Sequence, residues 1–113
     1  MTKVAIITVD YNHHDDTADW LKSKSILNTD NLDILTLVVD NGSDDPLKED
    51  VLWLQTGKNL GFAGGFNRGL KYAKEWGADY FLIINNDTQF ADKDFLPKLL
   101  DVFKNNPDAG IVS

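Results

Sequence analysis

Three aspartates each close an apolar run. Asp10 follows Val4 to Val9, Asp40 follows Ile34 to Val39, and Asp87 follows Tyr80 to Ile84 through Asn85 and Asn86. A carboxylate so placed can hold a divalent cation or accept a hydrogen bond from a hydroxyl. Between the second and third lies a glycine-rich stretch, Asn59 to Gly65, that opens an amphipathic segment. Gly61, Gly64 and Gly65 permit positive φ and close backbone approach, and the N–H groups that open a helix favour anions. N–H donors and a carboxylate at one edge could hold a phosphate from one side and a metal from the other. Plainer readings stand beside this one. Aspartate also favours turns and caps, Asn41-Gly42 is an ordinary turn signal, and the glycines suit a tight turn with close helix packing.

The elements that must position these residues follow from the hydrophobic pattern. Val4–Val9, Ile34–Val39 and Tyr80–Ile84 are nearly continuous apolar runs of strand length, suited to a sheet covered on both faces. A shorter strand is expected at Val51–Gln55, after an acidic segment containing Pro46. His13–Asp16 reads as a polar turn, and a helix is expected over about Thr17–Leu27 with a patchy apolar face of Trp20, Leu21 and Leu27. Phe66, Gly69, Leu70 and Ala73 share one face of a second helix, which Gly77 stops. Asp94 is placed to cap a third helix, with Pro97 in its first turn and a stripe of Phe95, Leu96, Leu99, Leu100 and Phe103. Gly110–Val112 is expected to begin a fifth strand. This alternation predicts an α/β fold: a doubly wound, mostly parallel sheet whose carboxyl edge carries the ligand site. A single domain over residues 1–113 is expected, and the short final strand suggests a domain cut at its carboxyl end.

Composition narrows the function classes. The 113 residues carry a formal net charge of −7, with Arg68 the only arginine and ten scattered lysines. That is the opposite of a nucleic-acid-binding surface, so no nucleic-acid partner is expected. An acidic protein that binds an anionic diphosphate needs a cation between them. No cysteine is present, which removes disulfides, thiolate metal sites and Cys nucleophiles and suits a cytoplasmic location. No apolar run approaches the length of a membrane span. His13 and His14, being adjacent, make a poor metal pair and read as a solvated turn. Arg68 could reach a phosphate from the first turn of the glycine-opened helix, or sit on a solvated face. The glycines make neither a P-loop, lacking the following Lys-Ser/Thr, nor a dinucleotide fingerprint, since Asp10–Asp16 holds no glycine.

Four ordered strings, VAIITVDYN, VVDNGSDD, NLGFAGGFNRGLKYA and ADYFLIINNDT, span nearly the whole chain. Together they resemble the large inverting nucleotide-sugar glycosyltransferase family of the GT-A fold, above all its rhamnosyltransferase-like branch, in the amino-terminal donor-binding half. The resemblance implies a UDP-sugar or dTDP-sugar donor and transfer to a glycan or lipid-linked acceptor, in cell-envelope polysaccharide biosynthesis. It places Val9 and Tyr11 beside the nucleobase, Asp40 on the base or ribose, and Asn59, Gly61 and Gly64 along the nucleotide pocket. Asn85-Asn86-Asp87 falls at the DxD position, with Asn85 and Asn86 towards the nucleotide and Asp87 as the ligand of Mg²⁺ or Mn²⁺. Two residues depart from the family: Asp10 stands where Thr or Ser is usual, and Asn85 replaces the first DxD carboxylate, which weakens metal binding without removing it. The family's general base and acceptor site match nothing here, so no catalytic residue is assigned. The full-length enzyme is expected in the cytoplasm or peripheral to the membrane's cytoplasmic face. The alternatives are a non-catalytic nucleotide-binding module and a sugar nucleotidyltransferase. The latter usually has a basic glycine-rich loop after its first strand, which this chain lacks. A bare sheet edge beyond the last strand would favour self-association.

Overall fold

A computed structural model describes residues 1–44 and 51–112. The acidic segment with Pro46, and Ser113, lie outside the described residues. Strands β1 (Thr2–Asp10), β2 (Leu32–Asp40), β3 (Leu52–Gln55) and β4 (Tyr80–Ile83) form one sheet. Helices α1 (His14–Lys24) and α2 (Gly61–Trp76) fall between strands, and α3 (Phe95–Asn105) follows β4. The strand order is β3-β2-β1-β4, and every pairing is parallel. The expected α/β, doubly wound architecture is therefore present.

Alternation of side chains divides the core into two layers. Val4, Ile6 and Val38 meet Trp20 of α1 and Leu96 of α3 on one face. Ala5, Ile7, Leu37 and Val39 meet Phe66 and Ala73 of α2 on the other. Two α2 glycines set the depth of that second contact. A Cβ at Gly65 would lie 3.0 Å from a Val9 methyl, and one at Gly69 would lie 2.8 Å from an Ile7 methyl. Close helix packing accounts for both.

Several boundaries differ from the sequence expectation, each for a local reason. Helix α1 starts at His14 rather than Thr17, because the Asp10 side chain collects donors from His13, His14 and Thr17. It ends at Lys24, and Leu27 is buried beyond it in the following turn. Helix α2 starts at Gly61, so Gly64 and Gly65 are helical; of the three, only Gly61 has a positive φ (+76°). Gly77 terminates α2 at φ +98°, as expected. Asp94 occupies the cap position of α3 but makes no capping bond with its side chain. Asp92 closes that turn instead, accepting from the Asp94 N–H at 2.9 Å.

Two expectations fail. β4 is covered on one face only: Phe81 and Ile83 are 41% and 49% exposed. They share the α2 face with Ala5 and Ile7. One helix, about 10 Å across, covers two strands spaced about 4.8 Å apart, and α2 lies over β1 and β2. The expected fifth strand is also absent. Gly110–Val112 is irregular, with Ile111 92% exposed, because it has no ladder partner among the described residues.

Candidate functional site

In the strand order the chain steps outward from β1 to β3, then returns to place β4 on the other side of β1. Such a reversal opens a crevice at the carboxyl ends of the strands. Asp10 and Asp40 are register partners at that edge. They are 0% and 3% exposed, respectively. The Asn85–Asp87 turn follows β4 at the same edge, since Ile84 N–H still donates to the Ile7 carbonyl.

Hydrogen bonding separates the three aspartates. Asp10 Oδ1 accepts the His13 N–H at 3.0 Å, and its Oδ2 accepts from His14 Nδ1 at 2.8 Å and the Thr17 hydroxyl at 2.6 Å. Asp40 Oδ1 accepts the Ser43 N–H at 2.9 Å, which curls the chain after β2. Both carboxylates build the edge. Asp87 is exposed and forms no hydrogen bond or ion pair among the described residues. Asn85 is exposed too, while Asn86 is half-buried and donates from Nδ2 to the Thr17 hydroxyl at 3.0 Å.

A second fastening sits at the start of α2. Asn41, 2% exposed, donates to Asn59 Oδ1 at 3.1 Å and to the Gly61 carbonyl at 2.9 Å. Its own Oδ1 accepts from the Leu60 N–H at 3.0 Å and the Thr56 hydroxyl at 3.1 Å. Asn59 Oδ1 also accepts the Gly61 N–H at 2.9 Å. A Cβ on Gly42 would lie 2.7 Å from the Lys58 carbonyl carbon, and its φ is +87°, so only glycine lets these loops touch. The result is a fixed entry to α2, whose first turn carries no acidic residue. Its positive dipole end is thus left uncompensated by a local carboxylate.

Of the other anticipated residues, Val9 is half-buried beneath Gly65, and Tyr11 is 44% exposed just past β1. Gly64 lies in the first turn of α2 against Leu60. Arg68 is seven residues beyond Gly61, about 10 Å along the helix, and not in its first turn. His14 is no solvated turn residue: it is fixed on Asp10 and meets the Trp53 ring edge-on with centroids 5.7 Å apart. From sequence, Asn41 and His14 read as turn residues and Thr17 as a helix start, because their partners lie on other elements or one helical turn away. A polar cleft of about 620 Å³ opens beside Asp10, lined by Asn12, His13, His14, Asp15, Asp16 and Asp44.

The sequence pattern of "Glycosyl transferase family 2" matches residues 5–113. The chain belongs to that family. A comparison with curated proteins finds no match. Membership supports glycosyltransferase as the activity class. Among the described residues no helix is long and apolar enough to cross a membrane.

The chemistry of the edge bears on whether this family member could hold a divalent cation. No cluster of three or more His, Cys, Asp or Glu residues that could hold a metal ion occurs among the described residues. Mg²⁺ is commonly held by one or two carboxylates plus substrate phosphates, with water filling the rest. The uncommitted Asp87 carboxylate beside two amide side chains fits that mode.

Proposed function

We propose that residues 1–113 bind the nucleotide-diphosphate-sugar donor of a metal-dependent, inverting, rhamnosyltransferase-like glycosyltransferase. The observation that carries this reading is the contrast at the carboxyl edge. Asp10 and Asp40 are buried and hydrogen-bonded there, whereas Asp87 is exposed and has no partner among the described residues. Asp87 binds Mg²⁺ or Mn²⁺ together with the donor diphosphate, and Asn85 and Asn86 lie towards the nucleotide. Val9, Tyr11 and Asp40 border the nucleoside, with a pyrimidine base as in UDP or dTDP. Asn59, Gly61 and Gly64 hold the start of α2 towards the phosphates, where its dipole favours negative charge. When bound, the cation supplies Lewis-acid stabilisation of the leaving diphosphate.

Transfer also requires a base positioned on the hydroxyl of a glycan or lipid-linked acceptor, which then attacks the anomeric carbon opposite the diphosphate. Such a base is worth about 10²–10⁴-fold. Asp10 is buried and held by three donors, Asp40 is buried and assigned to the nucleoside, and Asp87 is assigned to the cation, so the base lies outside this set. Calorimetric titration of UDP and dTDP, with and without Mn²⁺, tests the reading. Affinity should rise about tenfold or more with Mn²⁺, and Asp87→Ala should remove that increment. Equal affinity in both conditions would overturn the metal role. Incubating residues 1–113 with labelled donors, Mn²⁺ and an acceptor panel should give no acceptor-dependent product. Acceptor-dependent product would overturn the assignment of the base outside this set.

A further inference from the structure

Among the described residues, the Asn85–Thr88 turn has one hydrogen bond to the rest of the fold, from Asn86 Nδ2 to the Thr17 hydroxyl. Its remaining bonds are internal, from the Thr88 N–H and hydroxyl to the Asn85 carbonyl at 3.3 and 2.6 Å. Thr17 is fully buried and is itself held by Asp10. The three form a one-way relay. A carboxylate only accepts, so the single Thr17 hydroxyl proton is committed to Asp10. The hydroxyl oxygen can then only accept from Asn86, which must turn its NH₂ inward. Its carbonyl oxygen is directed outward on the residue next to Asp87, and it accepts no hydrogen bond among the described residues.

We infer that Thr17, oriented by Asp10, is a positioning residue that fixes the side-chain amide of Asn86 and the turn carrying Asp87. This gives a use to the buried Asp10–Thr17 pair that the donor-binding reading leaves without one, and it rests on that reading for its binding test only. A turn held in one arrangement loses less freedom when it closes on a ligand.

The His13 N–H constrains what a change at Asp10 would do. A backbone donor cannot reverse, so in Asp10→Asn the new amide must keep its oxygen on His13 and turn its NH₂ towards His14 and Thr17. The Thr17 proton would then point at Asn86, and Asn86 would flip to present its oxygen inward.

The test compares Thr17→Val, which keeps the shape and loses the hydroxyl, with Thr17→Ser and Asp10→Asn. In ¹H–¹⁵N spectra the Asn86 side-chain NH₂ should exchange faster in Thr17→Val. The backbone amides of residues 85–88 should shift while those of β2 and α2 do not. Thr17→Ser should restore the wild-type signals, and Asp10→Asn should move the Asn86 NH₂ to a solvent-exposed position. In UDP titrations, Thr17→Val should weaken the Mn²⁺-dependent increment about three- to tenfold, the scale of one hydrogen bond, with metal-free affinity unchanged. If Thr17→Val does not fold, Asn86→Ala breaks the same bond from the exposed side and should give the same shifts in residues 85–88. Unchanged turn amides in the folded variant, or an equal loss of metal-free and metal-dependent binding, would overturn the inference. A wild type without metal-dependent binding would sink the donor reading, while the spectra alone would still decide the role of Thr17.

Discussion

Burial, more than residue type, divides the carboxylates of this edge. Asp87 has no partner to lose among the described residues, so Asp87→Ala should leave the unfolding free energy within about 0.5 kcal/mol of wild type, checked by denaturant titration. Asp40→Ala should cost about 1–2 kcal/mol in the same measurement, because the part-buried Ser43 N–H loses its charged acceptor. Asn41→Ala should cost at least as much, since four hydrogen bonds end on that one side chain. Its importance was not legible from the Asn41-Gly42 dipeptide, which reads as a turn with or without partners. Those partners, Thr56, Asn59, Leu60 and Gly61, follow 15 or more residues later.

Each element shows which local signals survive in the tertiary structure. The α2 face of Phe66, Gly69 and Ala73 was readable from its spacing, and all three are buried. Gly69→Ala tests what the spacing does not reveal. Alanine improves helix propensity by up to about 1 kcal/mol. The new Cβ would nonetheless lie 2.8 Å from Ile7 and 3.0 Å from Val39. Overpacking of this kind costs about 1–3 kcal/mol, so denaturant titration should show net destabilisation. At α3 the cap signal pointed to Asp94, yet Asp92 makes the bonds, to the Asp94 N–H and to Lys98. The Lys98 hydrogen bond is the main cause that holds the Asp92 carboxyl below its ordinary 3.8, and the same bond raises Lys98 above 10.5. A lowered carboxyl contributes its stability above its unfolded value and loses it as pH falls through the folded one. The raised ammonium contributes below 10.5 and loses it as pH rises further. Asp92→Ala should therefore lower Tm more than Asp94→Ala at neutral pH. The difference should close in strong acid and shrink in strong alkali.

At the scale of the whole molecule, the unfinished feature is β4. Its outer edge has no strand neighbour among the described residues, and Phe81 and Ile83 stand open on the α2 face. An apolar groove of about 920 Å³ extends from these two residues to Leu82, Leu96, Leu100 and Phe103. The bare edge anticipated at the carboxyl terminus lies instead at β4, because Gly110–Val112 does not pair. Strand edges of this kind pair with one another, and the net charge of −7 opposes their approach. Residues 1–113 should therefore self-associate more strongly as salt is raised, measured by light scattering. Phe81→Lys should reverse this, and a monomer at every salt concentration would count against it.

By itself the sequence determined the parallel α/β architecture, the three acidic strand ends and the glycine stop of α2. Each is set by a local cause: an apolar run, a turn former, or a left-handed φ that only glycine adopts at no steric cost. Only the tertiary structure decided which aspartate is committed and which is not. Asp10, Asp40 and Asp87 look alike in sequence, but Asp10 meets donors on α1 while Asp87 meets none among the described residues. It also decided that α2 leaves β4 half covered, because one helix's width spans two strands and no local pattern records which two.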